Sequence, residues 1–385
     1  MSLKRLFFEY GKDFLIIALC VAALALVLYA RWKFSSNKDR VAPYREPLVP
    51  EDFYKTCPPI PNYEQPTIVW IVRHYLPDFR TGATRMAHDM NRFLLNAAAW
   101  EVIVITPYST VSEYEGIKIL QFSEMNSILA AIRKAHCIIT QYQVIETAAI
   151  TAQRAKKPLV MVSHDDSLNP WIEKAKSIHD NIYLINNSEW LDTMYRFQGL
   201  TSMILYPPVY VKSFNTHTTR RYITLINCNK NKGADLFYRV ATACPHLEFL
   251  AIEGSYGDQV APPRLPNLTA WKSQLDMRRV YSVTGILCVP SKAESWGRVA
   301  IEAACSGIPV IAHPTPGLKE ALGPVGIYAD REKPEEWIAA IQGLYESVPA
   351  YEKASRAIHR RANELNPTQQ LEMLRNFLLA LRTGT

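Results

Sequence analysis

No Cys-x-x-Cys pair, no histidine at metal-ligand spacing and no Asp-x-Asp triplet occurs in the 385 residues. These absences remove zinc-ribbon, thioredoxin-like and Asp-x-Asp metal sites from consideration, so neither metal nor cofactor is expected. The cysteines, Cys20, Cys57, Cys137, Cys228, Cys244, Cys288 and Cys305, are scattered and mostly flanked by apolar residues, which suits reduced, buried thiols. Charged residues make up 21% of the chain against 48% hydrophobic, a balance that excludes a disordered polypeptide. No basic stripe with interleaved aromatic residues is present, so nucleic acid is not an expected partner. The net charge of +7 instead suits an anionic ligand or an anionic membrane surface.

One uncharged apolar run stands out, Phe14 to Ala30, bounded by Lys12 and Asp13 before it and by Arg31, Trp32 and Lys33 after it. Its 17 residues span about 25 Å as a helix, the short end for a bilayer crossing. The run exceeds a usual signal-peptide core, and no small-residue cleavage site precedes Arg31. An uncleaved membrane anchor within residues 1–42 is therefore the expectation, with a signal peptide as the alternative. Cations follow the run (Arg31, Lys33, Lys38, Arg40, Arg45) more densely than they precede it (Lys4, Arg5, Lys12), which places the remainder in the cytoplasm. Residues 43–66, with Pro47, Pro50, Pro58, Pro59 and Pro61, read as an extended spacer.

From Thr67 onward, apolar strand-like runs alternate with helix-like ones. The runs 67–72, 101–105, 137–140, 158–163 and 181–186 read as strands, and 84–95, 126–135 and a stretch from Ser188 as helices. The pattern restarts after Tyr206-Pro207-Pro208-Val209, with strands at 222–227, 248–252, 285–290 and 308–312 and helices at 233–244 and 297–306. Such alternation predicts an α/β protein of two doubly wound, Rossmann-like domains, 67–212 and 213–366, facing a ligand cleft. The amphipathic stretch 368–381, within 367–385, is expected to form a helix that packs back toward the first domain.

Glu294 and Glu302 are the only carboxylates in the apolar strand, loop and helix that contain them. The pattern is a βαβ unit with Glu294 at the carboxyl end of its first strand, where open parallel sheets bind ligands. Two readings stand side by side. Arg298 lies four residues before Glu302 and could form a helix-surface ion pair with it; alternatively both carboxylates hold hydroxyls while the amides of Trp296, Gly297 and Arg298 face a phosphate.

The run Pro290-Ser291-Lys292-Ala293-Glu294-Ser295-Trp296-Gly297-Arg298-Val299-Ala300-Ile301-Glu302-Ala303-Ala304-Cys305-Ser306-Gly307-Ile308-Pro309-Val310-Ile311-Ala312 resembles the two-glutamate signature of the retaining glycosyltransferases of family four. That family has the GT-B fold, and the likeness extends over most of residues 67–385. The resemblance implies that Glu294 binds hydroxyls of a donor sugar and Glu302 the ribose hydroxyls of its nucleotide, with Ser295, Trp296, Gly297 and Arg298 between them. An ionised carboxylate accepts two hydroxyl donors at once, which fits both roles.

Lys232-Gly233 resembles the family's lysine that neutralises the diphosphate as charge develops on it. The family usually carries an arginine about five residues earlier, where this chain has Asn227, so either Lys230 or Arg298 supplies the second cation or the leaving group is stabilised more weakly. Thr315-Pro316-Gly317-Leu318-Lys319-Glu320 resembles the loop that approaches sugar and phosphates, with Gly317 allowing close backbone approach. Arg80-Thr81-Gly82-Ala83 resembles the family's glycine loop, with one glycine where two are common, and His164 stands where a family histidine lies near the reacting sugar. Taken without the resemblance, Lys232 reads as a solvated lysine, Gly317 as a turn, Gly82 as a helix start and His164 as a hydrogen-bonded core histidine.

The resemblance implies a retaining glycosyltransferase, independent of metal, to which the apolar run Phe14 to Ala30, outside the resemblance, adds a membrane anchor. It would move a sugar from a UDP-, GDP- or dTDP-type nucleotide sugar to a hydroxyl of a glycan or lipid-linked acceptor. A catalytically silent glycosyltransferase-like scaffold of a glycan-assembly complex is the alternative that Asn227 suggests, and a GT-B nucleotide-sugar epimerase is a third reading.

Overall fold

A parallel sheet covered by helices on both faces needs strands that are apolar throughout, and the central strands of both sheets of this protein are built that way. The computed structural model describes Leu48, Val49 and residues 65–381, all within one compact unit, Arg45–Thr385. The strands of the first sheet are β1 (Thr67–Ile71), β2 (Glu101–Thr106), β3 (Glu113–Tyr114), β4 (Ile117–Gln121), β5 (Ala135–Thr140), β6 (Leu159–Ser163), β7 (Ile182–Asn186) and β8 (Thr201–Ile204). They lie in the order β3-β4-β2-β1-β5-β6-β7-β8, parallel except for the β3/β4 hairpin. That hairpin turns at Glu115 (φ 48°) and Gly116 (φ 82°), the pair of left-handed residues a two-residue turn requires.

The second sheet contains β9 (Tyr222–Ile226), β10 (Phe249–Ile252), β11 (Leu268–Trp271), β12 (Thr284–Val289), β13 (Val310–Ala312) and β14 (Ile327–Tyr328). Its order is β11-β10-β9-β12-β13-β14, wholly parallel. In each sheet the chain starts in the interior and winds outward in both directions, with β1 between β2 and β5 and β9 between β10 and β12. The reversal opens a crevice beyond the carboxyl ends of those central strands, because successive crossovers leave on opposite sides. The loops that follow β1, β5, β9 and β12 are therefore the ones placed to build a site.

Helices begin where the sequence supplies caps. Thr81 caps helix Gly82–Ala97 in a reciprocal box with Thr84, Ser188 caps Glu189–Tyr195, and Thr315 caps Pro316–Leu322. Sequence reading had not singled out helices Ile145–Ala155, Asn169–Lys176, Pro334–Tyr345 and Val348–Glu364, nor strands β3, β4, β8, β11 and β14. Apart from β4, those strands are short or edge-lying and carry only part of the apolar signal; Thr201 and Ser202 in β8, for example, are exposed.

The last helix, Thr368–Leu379, belongs by contact to the first sheet's core. Leu371, Leu374 and Leu378 are fully buried there with Leu94, Trp100 and Val102, and the His136 ring meets the Leu378 carbonyl at 2.8 Å. Leu48 and Val49, inside the stretch read as a spacer, are also buried, and Arg154 donates to the Val49 carbonyl at 2.7 Å.

The membrane localisation expected from the sequence is corrected. Among the described residues no helix is long and apolar enough to cross a membrane. Even the 17-residue helix Val348–Glu364 carries Glu352, Lys353, Arg356, Arg360 and Arg361 along its length. The run Phe14 to Ala30, on which the anchor and its cytoplasmic orientation rested, lies outside the described residues.

Candidate functional site

The loop after β9 is shaped by two residues in the left-handed region, Asn227 (φ 69°) and Gly233 (φ 85°). A side chain at Gly233 would lie 2.7 Å from the Pro290 carbonyl, so only glycine lets this turn seat against the end of β12. The seating is reinforced where the Lys292 amide donates to the Asn231 carbonyl at 2.7 Å. Lys232 is thereby carried to Glu294, and its ammonium nitrogen contacts the Glu294 carboxylate. Ser291 donates to the same carboxylate oxygen at 2.8 Å. Burial works against the Lys232 charge, but the adjoining Glu294 carboxylate outweighs it and holds the lysine pKa above its ordinary value.

Two cavities meet at this pair. The first, about 740 Å³, runs along the second domain past Asn227, Gly254, Met277, Arg298 and Glu302. The second, about 570 Å³, opens toward the first domain past Gln141, Tyr142, His164, Asn187 and Trp296. Thr81, Gly82, Lys232, Tyr256, Glu294 and Arg298 line both. Volumes of this size accommodate a small-molecule substrate.

Glu302 sits inside helix Arg298–Ala304 and is 6% exposed. Its two oxygens are engaged by Arg298 Nε at 2.7 Å and by the Tyr281 hydroxyl at 2.9 Å. The i,i+4 ion pair read from the sequence therefore exists, but it is buried in the cleft and not on a helix surface. Arg298 also reaches across to Asp89 of helix Gly82–Ala97, with Nη2 to Oδ2 at 2.8 Å. Burial opposes the guanidinium charge, and the Asp89 and Glu302 carboxylates more than offset it.

Other contacts join the two sheets' loops around the cleft. Asn187 donates to Ser295 Oγ at 2.9 Å, and the Glu320 carboxylate accepts from the amides of Glu189 and Trp190 at 2.6 and 3.1 Å. A carboxylate at that position satisfies free N–H groups and opposes the positive end of helix Glu189–Tyr195.

His164 follows β6 and stacks on Tyr142, ring centroids 5.3 Å apart, while its Nε2 lies 2.6 Å from Gln141 Oε1. Burial pushes its pKa down to about 4, so the ring is neutral at physiological pH. Gly82 lines both cavities at the start of its helix, with open space beside its α-carbon. Ser295, Trp296 and Gly297 line the second cavity, and Trp296 stacks on Tyr206 at 5.6 Å.

Two of the expected residues are not brought in. Lys230 is exposed and lines neither cavity. Gly317 lines neither as well; a side chain there would lie 2.2 Å from the Ser295 carbonyl carbon, so its close approach is to the Glu294-Ser295 backbone. Sequence reading in turn missed Asp89, Tyr142, Asn187, Tyr256 and Tyr281. Only Ser291 carried a local signal, three residues before Glu294.

Several buried polar atoms around the cleft have no hydrogen-bond partner: Asn227 Nδ2, Asn187 Oδ1, Trp296 Nε1 and Arg298 Nη1. Buried polar groups are normally satisfied, so a cluster of orphans marks a surface prepared for a polar ligand. Among the described residues no group of histidines, cysteines and carboxylates is placed to hold a metal ion.

Residues 227–347 match the family described as glycosyl transferases group 1. The chain is 30% identical over 145 residues to a D-inositol 3-phosphate glycosyltransferase of Mycobacterium sp. (strain KMS), covering 33% of each sequence. It is 28% identical over 172 residues to one from Segniliparus rotundus, covering 40% of this chain and 38% of that protein. The chain thus spans about a third of the length of these curated relatives. Solved structures of similar fold include sucrose-phosphate synthase from Thermosynechococcus elongatus (TM-score 0.66, 17% identity, 82% of this chain and 100% of that one). Anabaena Alr3699/HepE in complex with UDP and glucose is similar as well (TM-score 0.66, 14% identity, 82% of this chain and 99% of that one). The match to glycosyl transferases group 1 thus falls on the second sheet and its helices, in a two-sheet Rossmann-like architecture of GT-B-like fold.

Proposed function

We propose that this protein transfers a sugar from a nucleoside diphosphate sugar to a hydroxyl acceptor with retention of configuration. The observation that carries the reading is the Lys232 and Glu294 pair at the junction of two cavities, with Glu302 further along the first. The nucleotide occupies the first cavity in this proposal, its ribose hydroxyls donating to Glu302 and its diphosphate facing Lys232. UDP is the nucleotide tested first, because the similarly folded Anabaena protein is described in complex with it.

In the reaction the bond from the anomeric carbon to the diphosphate oxygen breaks, and a bond from that carbon to the acceptor oxygen forms on the same face. The acceptor proton passes to the departing diphosphate oxygen, and the nucleoside diphosphate leaves. Lys232 stabilises the charge that accumulates on the leaving group, an interaction stronger in the transition state than in the ground state. Glu294 accepts hydroxyls of the transferred sugar and orients it. His164, neutral at the working pH, positions groups by hydrogen bonding and supplies no charge.

Where the family usually has an arginine, Asn227 offers an amide with an unpaired Nδ2. Arg298, which lines both cavities, is the second cation in this reading; Lys230 is not. The test is Glu294→Ala assayed for sugar transfer and nucleotide release with UDP, GDP and dTDP sugars. Transfer at the parent rate would refute the assignment, and a parent protein that binds none of these nucleotides would favour a silent scaffold.

A further inference from the structure

Three side-chain amides meet at Asn227, on the wall of the first cavity, and backbone partners fix which way each one faces. Gln259 accepts at Oε1 from the Gly254 amide at 2.8 Å and donates at Nε2 to the Tyr256 and Gly257 carbonyls at 2.9 and 3.0 Å. A backbone N–H only donates and a carbonyl only accepts, so this side chain has one orientation. Its Nε2 also donates to Asn227 Oδ1 at 3.0 Å. Asn229 is fixed in the same manner: its Oδ1 accepts from the Lys232 amide at 2.9 Å, which turns its Nδ2 to Asn227 Oδ1 at 3.1 Å.

Two donors converging on one atom settle the third amide. Asn227 meets them with Oδ1, so its Nδ2 faces away, and that nitrogen is buried without a partner on a side chain only 6% exposed. A buried donor left unpaired is costly, so the partner it lacks is an acceptor that arrives with a ligand. The backbone explains the residue type. Asn227 sits at φ 69°, where asparagine is among the few side chains enriched. Gly254 lies against its amide, since a Cβ there would be 2.1 Å from Asn227 Oδ1, so a longer cationic side chain would meet this loop.

We infer that Asn229 and Gln259 are positioning residues that hold Asn227 Nδ2 as a neutral hydrogen-bond donor to the diphosphate of the bound nucleotide. Gln259 lines neither cavity and acts only through Asn227 and the loop 254–257. Asn229 sets both partners of the leaving group, because it also caps the turn that carries Lys232. The assignment rests on the transferase reading and adds how this chain manages without an arginine at 227.

Titration calorimetry with UDP, GDP and dTDP, with the matching free nucleosides read by competition, gives the factor by which the diphosphate strengthens binding. Asn227→Asp keeps the size of the side chain and the acceptor for Asn229 and Gln259, but turns a carboxylate oxygen toward the diphosphate. The expected result is a fall of about tenfold or more in the diphosphate factor for Asn227→Asp, the loss that follows when a hydrogen bond to a charged group is removed. Nucleoside affinity should stay within about twofold. Asn227→Ala, which removes the amide without adding charge, should lower the same factor and serves if Asn227→Asp does not fold. Gln259→Ala should lower the factor in the wild-type protein and have no further effect once Asn227 is alanine, whereas a merely structural role would act equally in both. An unchanged diphosphate factor in the Asn227 variants, equal losses for nucleoside and diphosphate, or a Gln259→Ala effect undiminished in Asn227→Ala would each overturn the assignment and leave the transferase reading standing. A wild-type protein that binds none of the nucleotides would refute that reading and the assignment with it.

Discussion

The Lys232 ammonium lies against the Glu294 carboxylate where the two cavities meet, although 62 positions separate the two residues in the chain. Turn chemistry brings them together: Gly233 seats one loop on Pro290, and Ser291 fixes the carboxylate of the other. In the proposed reaction this contact is exchanged for contacts to the donor's sugar and diphosphate.

Removing the ammonium takes away charge stabilisation that is strongest as the leaving group departs. Lys232→Ala is expected to lower kcat by roughly 10²–10³-fold, the range found when one preorganised charge-stabilising donor is lost. Steady-state kinetics with the identified donor checks this. An unchanged kcat with only a raised donor KM would assign Lys232 to ground-state binding instead.

Arg298 bridges Glu302 of its own helix and Asp89 of helix Gly82–Ala97, with all three side chains largely buried. Arg298→Ala leaves the buried Glu302 carboxylate without its cation, while Asp89 keeps its contact to Arg85, and is expected to cost about 3–5 kcal/mol of stability. Urea unfolding reads the loss. Asp89→Ala combined with Arg298→Ala should cost less than the sum of the single changes, since both remove the same ion pair.

Gly317 supports the site from behind. Gly317→Ala places a methyl group against the Ser295 carbonyl, so the Glu294-Ser295 backbone has to move. Overpacking of this kind costs about 1–3 kcal/mol, and donor affinity should fall along with thermal stability. Parent affinity and melting temperature in this variant would show that the loop tolerates displacement.

His164 gives a pH-dependent signature. Its folded pKa of about 4 lies below the ordinary histidine value, so between about pH 6.5 and 4 the unfolded chain binds the extra proton and stability falls as pH falls. Above that window the effect is absent. His164→Gln should flatten this part of the pH–stability curve, and denaturant midpoints at pH 7, 5.5 and 4.5 measure it. The kcat profile should show no ionisation from His164 above pH 5.

The parts of the site legible in the sequence are those set by local spacing. Glu294 and Glu302 sit one strand-end and one helix interior apart, and the apolar runs around them predict the βαβ unit that the structure contains. Partnerships across the cleft were not legible. Asp89 faces Arg298, and Asn187 faces Ser295, because loops and helices of two different sheets are apposed, and no local periodicity encodes that apposition. Tyr142 was hidden for a different reason: an aromatic residue in the left-handed region contradicts its own backbone preference, so propensity points away from it. Lys230 shows the converse. It has the right charge two residues from Lys232, yet the short turn Lys230–Lys232 sends it to solvent.

The most direct test of the central claim is a donor screen. Purified protein is incubated with UDP, GDP and dTDP sugars and a mixture of hydroxyl acceptors, and both released nucleoside diphosphate and glycoside product are quantified. The account predicts that at least one donor is consumed, that diphosphate and product appear in equal amounts, and that an α-linked donor gives an α-linked product. Failure of every donor to bind or react, or a product of inverted configuration, would contradict it.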